Sequence, residues 1–154
     1  EMTYELFKET IDVNLNGTFL AVFAVKEDML KRGDGRIVLV SSIAALAARK
    51  MQIHYSTAKA GVIAMTRCCA EAFAPTVRVN CLQPGPFLTD ISTHWPESSH
   101  EGFRQRLALQ RAGNAEEIVG AALYLASDAA SFVNGVALPV DGGVVARLAS
   151  PTAG

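Results

Sequence analysis

Apolar residues crowd the centre of the first thirty positions. From about residue 4 to residue 31 the charges lie at both ends, while Leu15, Phe19, Leu20, Val22, Phe23 and Val25 make the middle apolar nearly all round. That pattern predicts a helix buried on more than one side. Gly33-Asp34-Gly35 breaks it, and residues 36–42 lack polar alternation, as expected of a strand in a parallel sheet covered on both faces. After an alanine-rich loop, Ala58, Gly61, Val62, Met65, Cys69, Ala72 and Phe73 form one stripe of a helix predicted over about 55–74 and ended by Pro75. Residues 77–82 predict the next strand, stopped by Pro84-Gly85-Pro86, and residues 89–102 read as polar and irregular. Asn114 caps a helix that opens at Ala115-Glu116-Glu117 and runs to Ser127-Asp128. A last strand over 136–140 ends at Asp141-Gly142-Gly143, and the tail after Ala146 reads as short and loose.

Helix and strand alternate three times, which implies a parallel sheet with helices on its faces and ligands at the carboxyl ends of the strands. Those ends hold Ser42, Pro84-Gly85 and Asp141-Gly142. The strand at 37–42 is too apolar for an open edge, so a further strand is expected to pair with it from upstream. The chain starts at Glu1 rather than at Met, and the expectation is an N-terminus further upstream, with processing as the alternative.

Composition narrows the function classes. A chain of 154 residues that is 50% hydrophobic supports one globular unit. With 14 basic and 15 acidic residues and a net charge of -1, it has no electrostatic footprint for nucleic acid or an anionic membrane. The longest near-apolar run, residues 19–25, is far short of the roughly 20 residues that span a bilayer. Glu1, Glu5, Lys8 and Glu9 leave no apolar core for a signal peptide. Cys68, Cys69 and Cys81 form neither an even disulfide set nor a CxxC pair, and no histidine stands at ligand spacing beside them. They are expected to be small core residues of a protein in the reducing cytoplasm, with no metal.

Candidate chemistry begins with Tyr55 and Lys59, which lie one helical turn apart and present a phenol and an ammonium to one face. The spacing alone recurs by chance, and its alternative is an aromatic at a helix start beside a solvated lysine. Ser42 precedes Tyr55 by 13 residues at the end of an apolar strand, and Asn14 interrupts an otherwise apolar helix. A buried asparagine is costly unless it is hydrogen-bonded, either as a structural amide or as a working group. His54 either faces the same pocket or is an ordinary loop histidine.

Taken together and in order, these motifs resemble those of the short-chain dehydrogenase/reductases over almost the whole chain, from Tyr4 to Gly143. Asp12-Val13-Asn14-Leu15 resembles the segment of the family's catalytic Asn, Val40-Ser41-Ser42 the strand end of its catalytic Ser, and residues 55–59 its Tyr-x-x-x-Lys. Asn80-Cys81-Leu82-Gln83-Pro84-Gly85, with Phe87 and Thr89, resembles the segment that closes over the nicotinamide. Arg111-Ala112-Gly113, Glu116-Glu117-Ile118, Leu125-Ala126-Ser127-Asp128 and Val140-Asp141-Gly142-Gly143 resemble its C-terminal helix and closing strand.

The resemblance implies an α/β, Rossmann-like doubly wound parallel sheet, of which residues 1–154 hold only the last three strands with their helices, a single partial domain. The glycine-rich dinucleotide fingerprint is absent and is expected upstream. It also implies an NAD(P)-dependent oxidoreductase, using NAD or NADP, that interconverts an alcohol and a ketone or aldehyde. Tyr55 would be the general acid or base, Lys59 would favour the phenolate and bind the ribose, Ser42 would steady the substrate oxygen, and Asn14 would hold a relay water. Pro84, Gly85, Phe87 and Thr89, like Tyr55 and Lys59, would contact the cofactor. Residues 89–106, with His94, Trp95, His100, Phe103 and Arg104, correspond to the substrate lid. The helices around 19–25 and 55–73 correspond to the surfaces through which the family forms homodimers or homotetramers. Two rivals remain: a serine hydrolase using Ser42 and His54, although no Gly-x-Ser-x-Gly surrounds the serine, and a non-catalytic module that pairs through its apolar helices.

Overall fold

The computed structural model of the chain describes residues 1–47, 50–96 and 98–149. Helix α1 (Tyr4–Ile11) runs through a π-helical turn (Asp12–Asn16) into α2 (Gly17–Arg32). Thr3 caps the start of α1, and Gly33, at φ 77°, closes α2 in the left-handed conformation that glycine adopts without strain. There follow β1 (Gly35–Val40), α3 (Ile53–Ala72), β2 (Val77–Pro84), β3 (Phe87–Leu88), α4 (Ser98–Arg106), β4 (Gly113–Asn114), α5 (Val119–Ala126), β5 (Ala137–Val140) and α6 (Val144–Ala149).

The main sheet has the order β1-β2-β5, all parallel, with Val40 opposite Leu82 and Leu82 opposite Leu138. This register brings the carboxyl ends of the three strands together. A separate two-residue parallel pairing joins β3 to β4.

Alternation along the strands divides their side chains between two layers. Ile37 and Leu39 of β1 and Val77, Val79 and Cys81 of β2 face a core completed by Val22 of α2 and by Val62, Ile63, Cys69 and Ala70 of α3. Arg78 and Asn80 point to the opposite layer, where Arg78 donates to the carbonyls of Leu125 and Ser127 at the end of α5 and to that of Val133 in the loop before β5. Asn80 is clamped from both sides. Its amide donates to Val133 O at 2.9 Å and its carbonyl accepts from Val136 N at 3.0 Å. A second cluster, Ile43, Phe103, Leu107, Ala112 and Val144, lies at the carboxyl end of the sheet.

Several expectations change. The helix over 4–31 is not buried on more than one side: only Val22 of α2 is buried, while Phe19, Leu20, Phe23 and Val25 are 42–65% exposed, because no described residue covers that side. Residues 89–102 are not irregular, since a 3-10 turn (Asp90–His94) and α4 occupy them. Cys69 and Cys81 are core residues as expected, but Cys68 is exposed, one position round α3 from the stripe, and Ala72 is exposed at the helix end. The segment after Ala146 continues α6 as far as Ala149; residues 150–154 lie outside the described residues, as does the side chain of His100. No helix among the described residues is long and apolar enough to cross a membrane, and no cluster of His, Cys, Asp and Glu among them has metal-ligand geometry.

Candidate active site

Two serines end β1, and alternation gives them different work. Ser41 follows Leu39 onto the core face, is 2% exposed, and donates to the Lys59 carbonyl at 2.7 Å, tying the first turns of α3 to the strand end. Ser42, on the other face, accepts from Ala44 N at 3.1 Å and so caps the 3-10 turn Ile43–Ala45, with its hydroxyl proton free to donate. It opens into a cleft of about 330 Å³ at the carboxyl end of the sheet. Tyr55, in the first turn of α3, lines the same cleft with Pro84 and Gly85 from the end of β2.

The turn at Gly85 is fixed by its own backbone. Gly85 N donates to Val140 O at 2.9 Å, and a Cβ on Gly85 would come within 2.6 Å of the Asp141 Cα. No other residue fits that approach of β2 to the end of β5.

Lys59 stands one turn along α3 from Tyr55, with its ammonium nitrogen 5.6 Å from the centre of the tyrosine ring, a cation–π distance. Its Nζ donates to Val40 O at 3.1 Å, which leaves two N–H donors. Burial pushes the Lys59 ammonium below the usual lysine value. It faces a trough of about 660 Å³ that runs along the outer side of β1 and α2, and Asn14 lines that trough too. Asn14 sits in the π-helical turn, where the helical hydrogen-bond ladder slips by one residue. Its amide donates to Thr10 O at 3.2 Å and its own carbonyl accepts from the Thr18 hydroxyl at 2.9 Å.

The site residues named from the sequence thus fall into groups. Ser42, Tyr55, Pro84 and Gly85 share the cleft; Lys59 and Asn14 share the trough behind it. Phe87 lies elsewhere, with its ring packed on Gly113 at a position where a Cβ would be 2.7 Å away, beside the ion pair of Arg111 and Glu117. That pair, with Asn114 N–H donating to the same carboxylate, draws Glu117 down to about 2. Thr89 is exposed, shares the 3-10 turn's capping hydrogen bonds with Ser92, and does not line the cleft. Trp95, Ser99, Phe103 and Arg106 bring the lid segment to the cleft, and Gln52 joins them from the start of α3. Gln52 and Arg106 were not singled out from the sequence; had residues 98–106 been read as a helix, Arg106 would have fallen one turn after Gly102 and Phe103. His54 is half-buried, and its Nδ1 has no partner. No hydrogen bond among the described residues joins Ser42 to His54.

A family model described as Enoyl-(Acyl carrier protein) reductase matches residues 1–145. The chain belongs to the short-chain dehydrogenase/reductases. Among its relatives in that family, L-rhamnose 1-dehydrogenase (NAD(P)(+)) of Azotobacter vinelandii is 38% identical over 152 residues, which cover 96% of this chain and 59% of the relative. A 3-oxoacyl-[acyl-carrier-protein] reductase of Aquifex aeolicus is 36% identical over 139 residues, covering 90% of this chain and 56% of that one. A crystal structure of a gluconate 5-dehydrogenase from Burkholderia cenocepacia, in complex with NADP and tartrate, superposes with a TM-score of 0.90 at 31% identity, covering 94% of this chain and 58% of that chain. The α/β, Rossmann-like parallel fold of the short-chain dehydrogenase/reductases is therefore the fold of this chain. It spans less than two thirds of the length of these relatives.

Proposed function

We propose that the chain is the C-terminal, catalytic part of an NAD(P)-dependent oxidoreductase that interconverts an alcohol and a ketone or aldehyde. One observation carries this reading: a free-to-donate serine hydroxyl and a tyrosine phenol line one cleft at the strand ends, with a lysine ammonium a single turn behind the tyrosine. The donor set suits a nicotinamide dinucleotide. Two spare N–H groups on Lys59 match the vicinal hydroxyls of a ribose, and the Pro84-Gly85 backbone provides a narrow wall for the nicotinamide. Phe87 and Thr89 are assigned to the cofactor by resemblance alone, since neither lines the cleft.

The nicotinamide supplies the two-electron hydride chemistry when it is bound. The protein handles the proton. Lys59 sets a positive charge one helical turn from Tyr55, 5.6 Å from the centre of its ring. Ser42 donates to the substrate oxygen and stabilises the charge that develops there. Tyr55 takes the hydroxyl proton during oxidation and returns it during reduction, and Lys59 with Asn14 leads that proton towards the trough.

The reading also assigns the trough. An upstream part of the same protein, carrying the dinucleotide fingerprint, packs along β1 and α2 and completes the cofactor site. The outward-facing residues of α2, Phe19, Leu20 and Phe23, remain for self-association as a homodimer or homotetramer. Free Cys68, Cys69 and Cys81 suit the cytoplasm.

Titration of NADH and NADPH against the chain alone and against its full reading frame tests the proposal. Binding confined to the longer protein is the expected result. A folded full-length protein that binds neither would leave a helix-mediated, non-catalytic module as the better reading.

A further inference from the structure

The cleft that holds Ser42 and Tyr55 has one charged side chain among the described residues that line it, Arg106. No described carboxylate shares that lining. Arg106 is the last residue of α4, and the charged and amide groups beside it on that helix are engaged with one another or with α6. Glu101 pairs with Arg104 at 3.6 Å and accepts from Gln105 at 3.3 Å, while the Gln105 carbonyl accepts from Arg147. Arg106 forms no ion pair with a described residue.

Gly102 shows how the guanidinium is seated. A glycine inside a helix is unfavourable relative to alanine, yet a Cβ at position 102 would stand 2.7 Å from Arg106 Nη2. Arg106 folds back along α4 with its mobile Nη2 end lying over Gly102. The adjoining wall is apolar, made by Trp95 and Phe103 with ring centres 5.3 Å apart in an edge-on arrangement. A cleft with hydroxyl chemistry, an apolar wall and one unpaired guanidinium is suited to a molecule that carries an anion as well as its reacting oxygen. Guanidinium recognises carboxylate with two parallel hydrogen bonds, which fixes orientation as well as adding affinity.

We propose that Arg106 is the carboxylate anchor of the cleft, that Gly102 is its positioning residue, and that the substrate is a hydroxy acid or the corresponding oxo acid. This rests on the oxidoreductase reading above. In oxidation the carbinol C–H bond breaks and its electron pair leaves as hydride to an oxidised nicotinamide dinucleotide, the O–H proton passes to Tyr55, and the C=O bond forms. The products are the oxo acid, reduced dinucleotide and one proton. The carboxylate is unchanged and serves only to hold the molecule.

The test uses the full reading frame with NADH or NADPH and three pairs of compounds: pyruvate, acetoacetate and levulinate, each against its methyl ester. At least one acid is expected to exceed its ester in kcat/KM by roughly tenfold or more, as loss of a charge-assisted hydrogen bond would give. Arg106→Gln should erase most of that ratio, chiefly through KM, while Arg104→Gln should keep it. Gly102→Ala separates positioning from structure: it should raise the melting temperature, as removing a helical glycine does, and still reduce the acid-to-ester ratio. Saturable quenching of Trp95 fluorescence by the preferred acid, weakened in Arg106→Gln, gives a second readout that needs no turnover. Turnover of esters and acids at equal rates would overturn the anchor and leave the oxidoreductase standing. Turnover of none of the six, with no dinucleotide binding, would remove both.

Discussion

The two edges of the sheet are built differently. On the β5 side, side chains tie the crossing together: Asn80 bridges Val133 and Val136, Asn134 accepts from Val79 N and donates to Ala70 O, and Arg78 caps α5. On the β1 side Val40 is 53% exposed and α2 offers an apolar face to an open trough. The candidate catalytic residues straddle this divide. Tyr55 lines the cleft and Lys59 the more open trough, although they sit on one turn of α3. Ser42, Tyr55, Pro84 and Gly85 thus share the cleft, while Lys59 and Asn14 border the trough on the β1 side.

The largest expected effect separates those two sides. Tyr55→Phe in the full reading frame removes the proton donor and keeps the ring, so kcat should fall by about 10³-fold or more while the melting temperature hardly changes and dinucleotide affinity falls less than in the lysine variant. Lys59→Met should instead lower kcat and weaken dinucleotide binding together. Steady-state kinetics with direct titration of the dinucleotide distinguishes the two patterns. If Tyr55→Phe keeps wild-type kcat, the assignment of the proton fails.

Next in size is a stability contrast between the edges. Asn80→Ala leaves the part-buried Val136 N–H without its partner and removes one of the two donors to the Val133 carbonyl, which keeps Arg78, and should cost about 1–2 kcal/mol in urea unfolding. Val40→Thr adds a hydroxyl at an exposed position, so in the chain alone it should stay within about 0.5 kcal/mol of wild type. In the full reading frame the same change should cost more than about 1 kcal/mol if, as proposed above, an upstream strand packs on β1. Equal costs in both proteins would mean that nothing packs on β1.

How much of this could be read from the sequence depended on whether an element had a repeating apolar pattern. The strands β1, β2 and β5 and the core stripe of α3 followed from periodicity, and Ser42 and Pro84-Gly85 from the rule that ligands gather at parallel strand ends, whereas Tyr55 joined them through its spacing to Lys59 and the family resemblance. Helix α4 did not, since its nine residues contain one large apolar side chain, Phe103, and a glycine in mid-helix. Arg106 was lost with it. The π-helical turn at Asn14 leaves no mark in composition because it is a slip of backbone hydrogen bonds. The exposure of α2 was misread for a different reason: an apolar face tells that it will be covered, not that this chain covers it.

The smallest effect concerns the charge that borders the trough. Burial holds the folded-state Lys59 below its ordinary value of 10.5, so between the folded value and 10.5 the unfolded chain binds more protons, and stability rises with pH across that window. Below the window both states carry the charge and the folded state bears the whole desolvation penalty. Lys59→Met removes the charge and keeps the length of the side chain, and the freed Val40 carbonyl lies at an exposed strand end where water can replace the ammonium. The variant should therefore melt slightly higher than wild type at pH 7, by about 1–2 °C because solvent at the trough screens the effect. The gap should close as pH climbs towards 10.5. A gap that stays constant from pH 7 to 10 would mean that packing of the methionine, and not relief of a buried charge, raised the melting point.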